Sequence, residues 1–238
     1  MFLLRGYFET QKDLLRNAYV YFLEKHSNNI KNNVRQGDLK KMVEINPKII
    51  TGCWTEGFAL DFHTLSSEFI GDDEYGHPQF DTKRSEIGEL LYRLKYRRDN
   101  SVLDDIITTV SQFIKSINWT VDLIVCVPPS RKGRKFQPVP PIAIGIGRAL
   151  GIGVCVDIVV KVKDTPELKN IFDFEARMRI FKDAFEIRDP VVAGHSILLF
   201  DDLYRSGATL NAVSRLLQQE GKVRNINVLT LTMTRSIR

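Results

Sequence analysis

The spacing of apolar residues changes several times along this chain, and each change marks a structural element. From residue 101 onward, short continuous apolar runs alternate with stretches of helical spacing, the order that a parallel α/β sheet requires. Val102, Ile106, Ile107, Val110, Phe113 and Ile114 predict a helix over 102–117, with Asn100-Ser101 as its cap. Val121 to Val127 reads as a buried strand. Pro138, Pro140 and Pro141 suit the first turn of a helix over 138–150, which Gly151 and Gly153 end. Val154 to Val162 is a second strand, and Ile197 to Phe200 and Asn227 to Thr232 supply two more. Between those last two, Ala208, Leu210, Val213, Leu216 and Leu217 mark a helix that Gly221 closes.

The first hundred residues carry a different pattern. Residues 8–36 are expected to be helical, with Leu14, Leu15, Tyr19, Phe22 and Leu23 partly on one face. Residues 50–64 look like strand material broken at Glu56-Gly57, and the polar stretch Gly71 to Thr82 like a loop. Ser85 to Arg98 reads as a basic helix, apolar at Ile87, Leu90, Leu91 and Leu94 and cationic at Arg93, Lys95, Arg97 and Arg98. Trp54, Phe58, Phe62 and Phe69 are expected to pack this region. The chain thus divides into an N-terminal extension, 1–84, of mixed helix and strand, and an α/β domain, 85–238.

The segment from Ile197 to Leu210 carries the most chemistry. An apolar strand runs into Asp201-Asp202, then into Arg205-Ser206-Gly207-Ala208-Thr209, and then into a helix. Unpaired N–H groups at that helix start favour a dianionic phosphate, Ser206 and Thr209 add hydroxyl donors, and Gly207 lets backbone approach closely. Asp201 and Asp202 stand too early to touch the same phosphate. Ionised carboxylates only accept hydrogen bonds, so their partners are donors such as vicinal ribose hydroxyls, met directly or through a bound Mg²⁺. A second candidate is the basic loop after Val127, where Ser130, Arg131, Lys132, Arg134 and Lys135 leave the carboxyl end of a buried strand.

Composition narrows the setting. With 238 residues, 43% of them hydrophobic, the chain can bury one α/β core and carry an appendage. Cys53, Cys126 and Cys155 are odd in number and widely spaced, so the expectation is no disulfide framework and a reducing, cytoplasmic setting. Neither a signal peptide nor a membrane span is expected. The net charge of +5 suits polyanions, a sugar pyrophosphate or nucleic acid alike. Cys53, Asp61, His63 and His77 lack the close spacing of a zinc site, and His63 reads instead as a hydrogen-bonded turn residue. His195 precedes the fourth strand and falls at the end away from the acidic pair.

The segment 197–210 resembles the phosphoribosyl pyrophosphate (PRPP) signature of type I phosphoribosyltransferases, although Arg205 stands where that family carries a small or hydroxyl residue. Cys126 to Lys132, Arg93 to Tyr96, Lys161 to Pro166, Arg177 and Ala184-Phe185 are similar, in order, to the competence protein F (ComF-like) branch. Two features depart from that branch: no N-terminal zinc ribbon is present, and Gly133 to Gln137 replaces its usual string after the basic loop. The resemblance implies the three-layer parallel sheet of that family and Mg²⁺-dependent transfer of a 5-phosphoribosyl group with release of pyrophosphate. It implies Arg205, Ser206, Gly207, Ala208 and Thr209 at the 5′-phosphate and Asp201 and Asp202 at the ribose, with Mg²⁺ held by the ligand and by these carboxylates. Ser130, Arg131 and Lys132 fall to the pyrophosphate, and Lys163 and Arg177 to a flap that closes over PRPP. A cis peptide at Pro129–Ser130 or Ser130–Arg131 is implied as well. The partner is then PRPP or a related ribose phosphate, with a homodimer and nucleic acid also admitted. Two other functions stay open, a non-catalytic PRPP or nucleotide sensor and a DNA-associated accessory protein.

Overall fold

The computed structural model describes residues 42–129, 136–163 and 184–235. In chain order the elements begin with β1 (Lys48–Ile49), β2 (Glu56–Phe62), β3 (Ser66–Asp72), β4 (Pro78–Lys83) and helix α1 (Glu86–Tyr92), which runs on into a π-helical turn, Arg93–Arg97. A 3₁₀ turn, Asn100–Val102, leads into α2 (Leu103–Ser116), followed by β5 (Leu123–Cys126), α3 (Val139–Leu150), β6 (Gly153–Cys155) and β7 (Val159–Lys161). The chain closes with β8 (Phe185–Ile187), β9 (Ser196–Tyr204), α4 (Ala208–Gln219) and β10 (Asn225–Met233).

Six strands form the central sheet in the order β1-β2-β10-β9-β5-β6. Only the short β1 runs antiparallel to its neighbour. Strands covered on both faces need apolar residues at every position, and β5 and the first half of β9 have them: Leu123 to Cys126 and Ile197 to Phe200 are all buried. Alternate residues serve opposite faces. Ile197 and Leu199 join one core with Leu210, Val213 and Leu217 of α4 and with Phe185 of β8. Leu198 and Phe200 join the other, with Leu91 and Leu94, Ile106 of α2 and Ile142 of α3. The result is the expected α/β architecture, with helices on both sides of a mainly parallel sheet. Residues 48–62, ahead of the boundary expected at 84–85, contribute two strands to this same sheet.

The course of the chain fixes where a ligand would lie. From β5 it passes through α3 to β6 at one edge of the sheet, and from β9 through α4 to β10 on the other side. Strand order therefore reverses between β5 and β9. The crevice outside their carboxyl ends is the place where open α/β sheets bind ligands.

Several boundaries differ from the sequence reading. The run expected as one strand, 154–162, bends at residues 156–158, and its second half leaves the main sheet to pair with β8 in a separate ribbon. The stretch 71–82, expected as a loop, belongs to the antiparallel hairpin β3–β4. Its strands are exposed on both faces and so lack alternation, while the Asp73 carboxylate folds the tip by accepting from the backbone N–H groups of Tyr75 and His77 at 2.9 and 2.8 Å. The break expected at Glu56-Gly57 comes earlier, since β2 begins at Glu56. Phe58 does pack, edge-on to Phe113 at 5.5 Å. Phe69 does not: it is 59% exposed, with Phe80 beside it at 5.7 Å. The helix expected over 8–36 lies outside the described residues.

Candidate functional site

Strand β9 does not end at Phe200. It continues through Asp201 and Asp202 to Tyr204, paired with β10 as far as Met233. The two carboxylates therefore lie inside a strand, and a strand turns neighbouring side chains to opposite faces. Asp202 shares the face of Leu198 and Phe200, and there it meets Lys95, whose Nζ donates to Asp202 Oδ2 at 2.5 Å. Both side chains are nearly covered, at 10% exposed for Lys95 and 14% for Asp202. Asp201 falls on the α4 face and is half-buried, and its Oδ1 accepts from the Asp202 N–H at 2.8 Å. Burial, and then the charge of Asp202, pushes the Asp201 carboxyl well above its ordinary value, against smaller opposing pulls from the Asp202 N–H and then Lys95.

Lys95 arrives by way of helix α1. Ser85 caps α1, its Oγ accepting from the Gly88 N–H at 3.1 Å and donating to the Phe62 carbonyl at 2.6 Å, which ties the helix start to the end of β2. The π turn that follows stops at Arg98 in the left-handed region (φ 54°), where Arg93 and Asp99 close the loop at 2.6 Å. Around the ion pair, the Thr232 hydroxyl donates to the Asp202 carbonyl at 3.2 Å and lies 3.4 Å from His63 Nδ1. His63 is thus the hydrogen-bonded turn residue expected. Burial first, and then Arg84 and Lys95, hold its imidazole below the ordinary histidine value.

Past Tyr204 the chain turns sharply. Arg205 and Ser206 are exposed, Gly207 is buried in the left-handed region (φ 72°), and α4 begins at Ala208. The N-cap of α4, Gly207, brings no side-chain cap of its own. Arg205 to Thr209 thus follow the carboxyl end of β9, which carries Asp201 and Asp202. Strand β5 lies alongside in parallel register, Cys126 opposite Phe200, and the Val127 N–H donates to the Phe200 carbonyl at 3.0 Å. Beyond it, Pro128 and Pro129 border a cleft of about 380 Å³ with Val156, Asp157, Val159 to Val162 and Arg188. Ser130, Arg131, Lys132 and Arg177, with the peptides expected to be cis, lie outside the described residues. Lys163 is exposed, one residue beyond Val162 of the cleft wall. Asp122 and His195, at the other end of the sheet, take no part.

The donor set decides what metal could sit here. Among the described residues no cluster of three or more histidine, cysteine or carboxylate side chains could hold an ion, and Cys53, Asp61, His63 and His77 do not converge. A metal gripped by Asp201 and Asp202 together does not fit either, because Lys95 already occupies Asp202 and the two side chains face opposite ways. Lys95 is the site residue that sequence reasoning passed over among the cations of a basic helix. The signal was its place one turn beyond Leu91, on the buried face.

No family model matches the sequence, and no curated protein does. Comparison of the fold with solved structures finds similarity to the Saccharomyces cerevisiae adenine phosphoribosyltransferase complexed with an imino-altritol bisphosphate and adenine. Identity there is 16%, over 71% of this chain and 85% of that one, with a TM-score of 0.41. The Thermoanaerobacter pseudethanolicus adenine phosphoribosyltransferase is similar at 18% identity over 70% of this chain and 95% of that one, TM-score 0.38. The Trypanosoma brucei enzyme in complex with AMP, pyrophosphate and ribose-5-phosphate is similar at 12% over 79% and 86%, TM-score 0.38.

Proposed function

We propose that this protein is a phosphoribosyltransferase of the type I kind, nearest to the competence protein F branch, acting on PRPP in the cytoplasm. One observation carries the reading: the acidic strand end and the left-handed Gly207 turn sit together where strand order reverses, beside the end of β5. In this reading the N–H groups at the start of α4, with Ser206, Thr209 and the charge of Arg205, hold the 5′-phosphate. Asp201 accepts hydrogen bonds from ribose hydroxyls. Ser130, Arg131 and Lys132 offset the charge of the leaving pyrophosphate, and Lys163 and Arg177 belong to a segment that shields the sugar from water. The acceptor's lone pair forms its bond to C1 as the C1–O bond to pyrophosphate breaks, and that electron pair leaves with pyrophosphate. A rigidly held sugar and a neutralised leaving group supply most of what this displacement needs.

The sensor reading keeps one specific support, the ion pair that takes Asp202 out of direct contact with a sugar. Pyrophosphate release from PRPP across a panel of purine and pyrimidine bases and simple amines separates the two. The transferase reading expects release with at least one acceptor; saturable PRPP binding with release above background for none would establish the sensor instead.

A further inference from the structure

We infer that Lys95 is a positioning residue that serves as the resident cation of the acidic pair, so that this site holds a ribose phosphate without a divalent metal at Asp202. The inference rests on the sugar-phosphate reading given above. Its basis is the contact itself: an ammonium nitrogen 2.5 Å from Asp202 Oδ2, with both side chains almost covered, already supplies this carboxylate with a cation and leaves little room beside it for a hydrated metal ion. The lysine is also held in place rather than loosely apposed. Leu91 and Leu94 anchor its helix in the core with no more than 1% exposure, the Ser85 cap ties that helix to Phe62, and Thr232 fixes the Asp202 backbone from the neighbouring strand.

The chemistry follows from charge. Two adjacent carboxylates beside a dianionic phosphate repel it, and one cation must offset them. Elsewhere a divalent ion could do this. Here Lys95 cancels Asp202 from below the sheet, while the Asp202 N–H steadies Oδ1 of Asp201 on the opposite face. Asp201 Oδ2 has no hydrogen bond among the described residues and is the oxygen left to accept from the sugar.

The test is calorimetric titration of the full chain with ribose 5-phosphate, which lacks the pyrophosphate that would bring its own metal, in EDTA and in Mg²⁺. For the parent protein the affinity should change by less than about twofold between the two conditions. Lys95→Met should bind about tenfold more weakly in EDTA, a loss of ~1.4 kcal/mol, and recover with Mg²⁺, while Lys95→Arg should stay indifferent to the metal. If Lys95→Met does not fold, Lys95→Gln, which keeps a hydrogen bond to Asp202 without the charge, carries the same expectation. Metal dependence as strong in the parent as in Lys95→Met would overturn the inference and leave the sugar-phosphate site standing. Equal affinity of Lys95→Met and the parent in EDTA would overturn it too. Absence of ribose 5-phosphate binding by the parent in either condition would remove the site reading, and the inference with it.

Discussion

Replacing Gly207 isolates the turn on which the phosphate reading depends. Its φ of 72° suits glycine, and an L residue held there costs about 1–2 kcal/mol. A Cβ at this position would also stand 2.9 Å from Cε2 and Oη of Tyr204 and 3.1 Å from its Cζ, so the ring must move. Overpacking of that kind costs about 1–3 kcal/mol, less where the ring can swing outward, and Tyr204 is only half-buried. Gly207→Ala should therefore lose about 2–4 kcal/mol in urea or guanidinium unfolding, and Gly207→Val more, because its branched carbon tolerates positive φ worse. A double-mutant cycle divides the cost. Tyr204→Ala removes the ring but not the backbone penalty, so the Gly207→Ala/Tyr204→Ala pair should show a coupling of about 1 kcal/mol in the recovering direction. Additivity within about 0.5 kcal/mol would mean that Tyr204 does not shape this turn, and an unchanged midpoint for Gly207→Val would mean that the left-handed turn itself is wrong.

Other consequences follow from the same geometry. Asp202→Asn leaves the Lys95 ammonium nearly buried and unpaired, so it should destabilise the fold by about 3–5 kcal/mol, and adding Lys95→Met should return most of that loss. The same comparison would fail if Asp202→Asn unfolded at the parent's midpoint. Gly88→Ala would put a Cβ 2.5 Å from the His63 carbonyl oxygen, a backbone atom that cannot swing away. Thermal unfolding should drop accordingly, by about 2–4 °C per kcal/mol for a chain of this size. Asp201 supplies the pH dependence. Its folded value is raised, so the stability it contributes is complete below its ordinary value of 3.8 and is lost as pH rises through the folded value. The melting temperature of Asp201→Asn minus that of the parent should grow with pH above 3.8 and then level off, whereas a flat or falling difference contradicts the burial described here.

How far the sequence alone reached differs between the sheet and the site. Continuous apolar runs such as Leu123 to Cys126 announce strands covered on both faces, and the spacing of Leu210, Val213 and Leu217 announces the helix packed on them, because burial imposes both patterns. The hairpin over 66–83 gave no such signal, since neither of its faces is buried. At the site, the phosphate turn was legible from Ser206 to Thr209. The end of β9 was not, because two aspartates look like the start of a loop. They remain in the strand, paired with β10, and Lys95, 107 positions away in sequence, neutralises Asp202, a contact so remote that it leaves no local pattern. The sequence pattern implies two carboxylates that both face a ligand. In the structure one of them, Asp202, faces Lys95 instead.

The central claim is that the carboxyl end of β9 and the Gly207 turn hold a ribose phosphate. Calorimetric titration with PRPP of the parent chain, Asp201→Asn and Gly207→Val tests it most directly, Asp201 being the carboxylate whose replacement leaves the Lys95 ion pair intact. The account predicts saturable binding at one site per chain in the parent, weakened about tenfold or more in each variant while each still unfolds cooperatively. Parent-like PRPP affinity in both folded variants would contradict it.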